Sequence, residues 1–147
     1  MRKKNKKRVI IISSILLFII SLTQNAIKVN DFDGINYYPS IVTFLNGGLA
    51  ILGGAFNEWL IWLANPIFFI AIYQLTQDRK NSRYLSLLAV IIGLIYTQFG
   101  EILANEGGRK VPIISLELGY WLWITSMLVF SLGTFIYFSS NKNDLKE

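Results

Sequence analysis

The chain has 147 residues, 53% of them hydrophobic, with a mean hydropathy of +0.46 and a net charge of +5. This describes one domain, residues 1–147, too apolar for an ordinary soluble protein. With no Cys and no His, thiol chemistry, disulfides, Cys/His metal sites and His-based acid–base catalysis are excluded.

The first eight residues, MRKKNKKR, carry six positive charges and precede an apolar run from Val9 to about Ile27. A basic start and an apolar core resemble a signal peptide. Ser21–Ala26 offers only a poor cleavage site, so the run is read as an uncleaved first span, residues 9–27. Lys28–Ser40, with Asp31, Asp33-Gly34 and Pro39, is expected to be an external loop.

Ile41–Phe56 is apolar but contains Gly47-Gly48 and Gly53-Gly54. Two Gly pairs make it a poor span. If it crossed, the basic loop Gln77–Arg83 would lie outside, against the positive-inside tendency. It is therefore expected at the outer surface, as an interfacial helix or a re-entrant turn.

Glu58–Leu75, EWLIWLANPIFFIAIYQL, organises the chain. Trp59–Leu75 holds 17 uncharged residues, at the short end of what a hydrocarbon layer roughly 30 Å thick requires. Pro66 removes a backbone donor and frees the carbonyl of Trp62. The spacing predicts a kinked second span, about 58–76, with Glu58, Trp62, Asn65 and Phe69 on one face turned into protein. Asn65 reads either as a link between helices at the kink or as part of a ligand or partner site.

The third span is expected over 84–103 and the fourth over 113–138, with Glu117 in its first turns. The loop Ala104–Pro112 joins them. This topology places eleven Lys and Arg in the cytoplasm and three outside, with both termini cytoplasmic. Trp59, Trp62, Trp121 and Trp123 fall near the outer boundary, where amphipathic rings are favoured. The positive charge is thus a topology signal and not a nucleic-acid signal. The fold predicted is all-α: a four-helix transmembrane bundle with left-handed antiparallel packing and an extra surface segment, 41–56.

Small residues recur every seven positions: Ser14 and Ser21; Ala64 and Ala71; Ser86, Gly93 and Gly100; Gly119, Ser126 and Gly133. In lipid, close backbone approach drives helix association. The third and fourth helices are expected to pair Gly100 with Gly119, Gly93 with Ser126 and Ser86 with Gly133.

Glu58, Glu101 and Glu117 each end a different helix on the outer side, and Gln98, Glu101 and Asn105 share a face. If the helices converge, these carboxylates can meet beneath the Gly-rich segment and bind a hard cation or small ligand. The bland reading makes them solvated boundary residues paired with Arg109 or Lys110. The candidate ligand or partner site is Glu58, Trp62, Asn65, Gln98, Glu101, Asn105 and Glu117. No catalytic residue, metal site or cofactor is assigned.

Three stretches, Trp62–Pro66 (WLANP), Asn105–Gly108 (NEGG) and Gly119–Met127 (GYWLWITSM), together resemble a group of small bacterial four-helix integral membrane proteins of unknown function with a WLANP-like motif in the second span. The resemblance covers roughly Gly47 to Gly133. It implies a multi-pass protein of the bacterial cytoplasmic membrane and brings no activity with it.

On these grounds the leading function is a non-enzymatic one. The outer polar face of an accessory membrane protein would engage another membrane or envelope protein, with the lipid bilayer as constant partner and a homo-oligomer compatible with the pattern. The alternative is binding or transport of a small ligand, lipid or cation by the outer carboxylates. A membrane enzyme using paired carboxylates ranks last, since no nucleophile motif is present.

Overall fold

The computed structural model describes residues 2–104 and 107–143. Helix α1 (Arg2–Leu22) runs into a hairpin of β1 (Asn25–Asp31) and β2 (Gly34–Pro39). Helix α2 (Ser40–Gly47) and a 3₁₀ turn (Ala50–Gly53) lead to α3 (Phe56–Trp62) and α4 (Ala64–Thr76). Helix α5 (Ser82–Ile95) ends in a 3₁₀ turn (Tyr96–Gln98), followed by β3 (Glu101–Leu103), β4 (Lys110–Leu116) and α6 (Leu118–Asn143).

The fold is mixed, which corrects the all-α expectation. A four-stranded antiparallel sheet, in the order β2-β1-β4-β3, joins two hairpins far apart in sequence. The segment expected as an external loop, 28–40, is the first hairpin. Ile27 and Val29 alternate inward, and Gly34, at φ +114°, takes the left-handed conformation that its tight turn needs. Of the loop expected over 104–112, residues 110–112 pair with β3 as part of β4, and the span expected over 84–103 is helical only to Gln98. The helix expected from Ile113 starts at Leu118, because residues 113–116 pair with β1 as part of β4. Likewise, the first helix ends at Leu22 and not at Ile27. Two helices among the described residues, not four, are long and apolar enough to cross a membrane: the α3–α4 unit, Phe56–Thr76, and Leu118–Ser140.

Helix α6 packs against α1 on one side and α5 on the other, and α5 packs on α4. Their shared core is Phe18, Phe68, Leu75, Val90, Met127 and Phe130 with small residues between. Phe68 meets Phe130 edge to face at 5.5 Å. A separate core under the sheet holds Ile27, Val29, Ile102 and Val111.

Several helices carry large apolar side chains on their exposed faces. In α5 the buried residues are Ser82, Ser86, Ala89, Val90 and Gly93, one stripe of small side chains, while Leu87, Leu88, Ile91, Leu94 and Ile95 are exposed. Large apolar residues are exposed on α1 (Ile12, Leu16, Ile19) and α6 (Leu128, Leu132, Ile136) as well. Small residues lie between the large core side chains: Ser14, Ser21, Ala64, Ala71, Ser86 and Ser126 are fully buried.

The last two helices pack closely, but not through the three expected pairs. A Cβ on Gly93 would lie 2.5 Å from Ile124 Cδ1 and 3.3 Å from the Trp123 ring. The Tyr120 hydroxyl donates to the Gly93 carbonyl at 3.0 Å. Ser86 Oγ lies 3.3 Å from Ser131 Oγ and 3.4 Å from Thr134 Oγ1. Gly133, in contrast, faces Ile10 of α1, Gly119 faces Ser40 and the carbonyl of Asn25, and Gly100 has open space around it. The sheet accounts for the difference, because it ends α5 before Gly100 and turns Gly119 toward β1.

At the opposite end from the sheet, Lys7 Nζ contacts Asp78 Oδ2 at 2.8 Å and Tyr137 donates to Asp78 Oδ1 at 2.6 Å. Asp78 thereby fastens α1 and α6 to the turn after α4.

Candidate functional site

The site begins at Pro66. Without a backbone N–H, Pro66 leaves the Trp62 carbonyl free, and the helix is interrupted at Leu63 between α3 and α4. The ladder resumes with Ile67 N–H donating to Leu63 O at 3.2 Å. Asn65 fills the gap. Its Nδ2 donates to the Trp62 carbonyl at 2.9 Å, and its Oδ1 accepts from Trp123 Nε1 of α6 at 2.8 Å. Only 4% of Asn65 is exposed, so these bonds answer the cost of burying an amide. One side chain therefore repairs the proline break and links two helices.

Trp62 turns the other way. Its Nε1 donates to the Phe44 carbonyl of α2 at 2.7 Å. Its ring lies against Gly47 and Gly48, where a Cβ on Gly48 would come within 3.0 Å of Cζ2. The Gly47-Gly48 pair is thus the seat of an indole ring, which explains glycines in a segment otherwise rich in large apolar residues.

Between the sheet, the α2 segment and the helix ends lies a cavity of about 460 Å³. That volume is within the range of small-molecule sites. Its aromatic walls are Tyr38, Phe44, Trp62, Tyr96, Tyr120 and Trp123. Polar groups are few: Glu58, Asn65, Asn46 and Ser40 are among them. Glu58 Oε1 accepts the backbone N–H of Leu103 at 3.0 Å, tying α3 to β3.

Six of the seven residues singled out in the sequence are described, and they separate into two sets. Glu58, Trp62 and Asn65 line the cavity. Glu58 also borders a smaller cleft with Glu101 and Lys110. Glu101 is exposed and paired with Lys110, and this hydrogen bond holds the Lys110 ammonium above its ordinary pKa. Glu117 accepts from the Ser115 hydroxyl, and Gln98 is exposed. Asn105 lies outside the described residues. Among the described residues no three acidic side chains group so as to hold a metal ion. The bland reading fits Glu101, whose partner is Lys110. Arg109 instead pairs with Asp31 at 2.9 Å, bridging the two hairpin turns.

Sequence reasoning missed Ser40, Tyr38, Phe44, Tyr96 and Tyr120 as lining residues. The Gly47-Gly48 pair opposite a Trp-rich helix was the available signal for Phe44. Nothing local marked the tyrosines, which meet only because the sheet folds over the helix ends.

No family model matches the chain, and neither does any curated protein or solved structure.

Proposed function

We propose that the chain is a multi-pass protein of the bacterial cytoplasmic membrane, with both termini cytoplasmic, that binds a small apolar or amphiphilic molecule without transforming it. The single observation carrying the binding reading is the aromatic-walled cavity under the sheet, with a few polar groups at fixed places. The membrane setting draws support from the apolar side chains exposed along α1, α5 and α6 and the small polar ones buried among them. The basic start of α1 supports the orientation, and the resemblance carried by WLANP, NEGG and GYWLWITSM supports the bacterial setting.

The test uses tryptophan quenching. With Trp59→Phe and Trp121→Phe, emission comes from Trp62 and Trp123, both on the cavity wall. A mid-chain brominated long-chain alcohol should quench it saturably, and Ala50→Phe, which adds bulk to that wall, should raise the concentration needed severalfold. Quenching that rises linearly without saturation in both proteins would remove the cavity from consideration.

A second reading is partner docking on the outer face. It is favoured by the first hairpin, where Phe32 is 87% exposed and Ile35 and Tyr37 are exposed on edge strand β2. Crosslinking from a residue 36 photoprobe in cells tests it, and recovery of the uncrosslinked monomer alone would reject it.

A further inference from the structure

The cavity's lining is asymmetric in charge. Glu58 supplies a carboxylate, and among the described residues no Lys or Arg lines the cavity. A phosphate or carboxylate head would find no cation there and would face Glu58 at low dielectric, which is unfavourable.

The segment 40–53 shows where such a molecule would come from. Thr43, Phe44, Gly47 and Ala50 form cavity wall. On the same segment Leu45, Leu49 and Leu52 are 63%, 63% and 82% exposed, with no charge between Ser40 and Asn57. A wall with apolar side chains on its far side suits contact with a bilayer at the interface.

Resting on the binding reading above, we infer that the ligand is a long-tailed amphiphile from the outer leaflet whose head carries a protonated amine, held by Glu58 with its tail against the aromatic walls. The amine donates to the carboxylate as a charge-assisted bond.

The experiment compares three brominated probes of equal chain length in nonionic detergent at pH 7: a primary alkylamine, an alkanol and a fatty acid. The readout is quenching of Trp62 and Trp123 in the same double-Phe background. The amine should bind about tenfold tighter than the alkanol, with the fatty acid weakest. Glu58→Gln, which keeps an acceptor for Leu103, should bring the amine-to-alkanol ratio near one. Butylamine should fail to displace the long amine, because it lacks the tail. Equal binding of all three probes, or preference for the fatty acid, overturns the amine assignment while leaving the cavity as a binding site. Displacement by butylamine at comparable concentration overturns the bilayer source. Absence of saturable quenching by any probe overturns the binding reading itself.

Discussion

Replacing Asn65 tests whether one amide carries both the repair of the proline break and the link to α6. Asn65→Leu keeps the volume close and removes both hydrogen bonds, to the Trp62 carbonyl at 2.9 Å and from Trp123 Nε1 at 2.8 Å. Each partner is then left with an unmet polar group, at about 1–2 kcal/mol apiece. Hydrogen bonds between helices in membranes sit at the low end of such values, so the total should be about 2–3 kcal/mol. The two contributions separate in a double-mutant cycle. Pro66→Ala restores a backbone N–H that can reach Trp62 O, so Asn65→Leu should then cost only about 1 kcal/mol, the share of Trp123. The assay is reversible unfolding in mixed detergent–SDS micelles, followed by far-UV circular dichroism. A coupling energy within about 0.3 kcal/mol of zero would show that Asn65 does not serve the freed carbonyl.

Other perturbations follow from the same contacts. Gly93→Leu forces bulk into Ile124 and Trp123 and should destabilise by about 2–3 kcal/mol, whereas an unchanged melting temperature in detergent would remove the tight α5–α6 seam. Asp78 sits at φ +55°, so Asp78→Ala loses its bonds to Lys7 and Tyr137 and strains the backbone, at about 2 kcal/mol. Asp78→Asn keeps an acceptor and tolerates the conformation, so it should cost under about 1 kcal/mol, and equal losses in the two variants would argue against the strain. Lys110 has its pKa raised by Glu101, so whatever this pair adds to stability is complete below pH 10.5 and fades as the pH rises through the elevated value. Glu101→Gln should therefore narrow any stability difference seen between pH 9 and pH 12. A chain without cysteine suits single-cysteine labelling: Asp33→Cys should react with an impermeant maleimide from outside intact cells and Asn81→Cys only after lysis, and the reverse would invert the topology.

What could be read from the sequence was the helix with the proline. Of its stripe, Glu58, Trp62 and Asn65 face one site while Phe69 is exposed; the first three were legible because helical periodicity is local and Pro66 leaves a definite debt at Trp62. The sheet was not seen, although the signal was there. Asp33-Gly34 between alternating Ile27, Val29 and Ile35, Tyr37 is a hairpin pattern. It was outweighed by Asp31 and Pro39, which taken alone suggest a loop. Residues 113–116 could not be told from helix by composition, since Ile113 and Ile114 suit a strand or an apolar helix equally. The distribution of carboxylates depended on strand pairing: β3 carries Glu101 to Lys110, while Glu117 follows β4. No single-helix periodicity contains that information.

The pairing of β1 with β4 has a consequence for biogenesis. β1 emerges from the ribosome near residue 31, but its second neighbour is complete only at residue 116. For that interval the first hairpin waits with one edge unfilled, an arrangement of high contact order that is slow to close and open to capture by other strands. Closing the sheet therefore couples the earliest and latest parts of translation, and two co-expressed fragments divided at residue 80 should find each other through it.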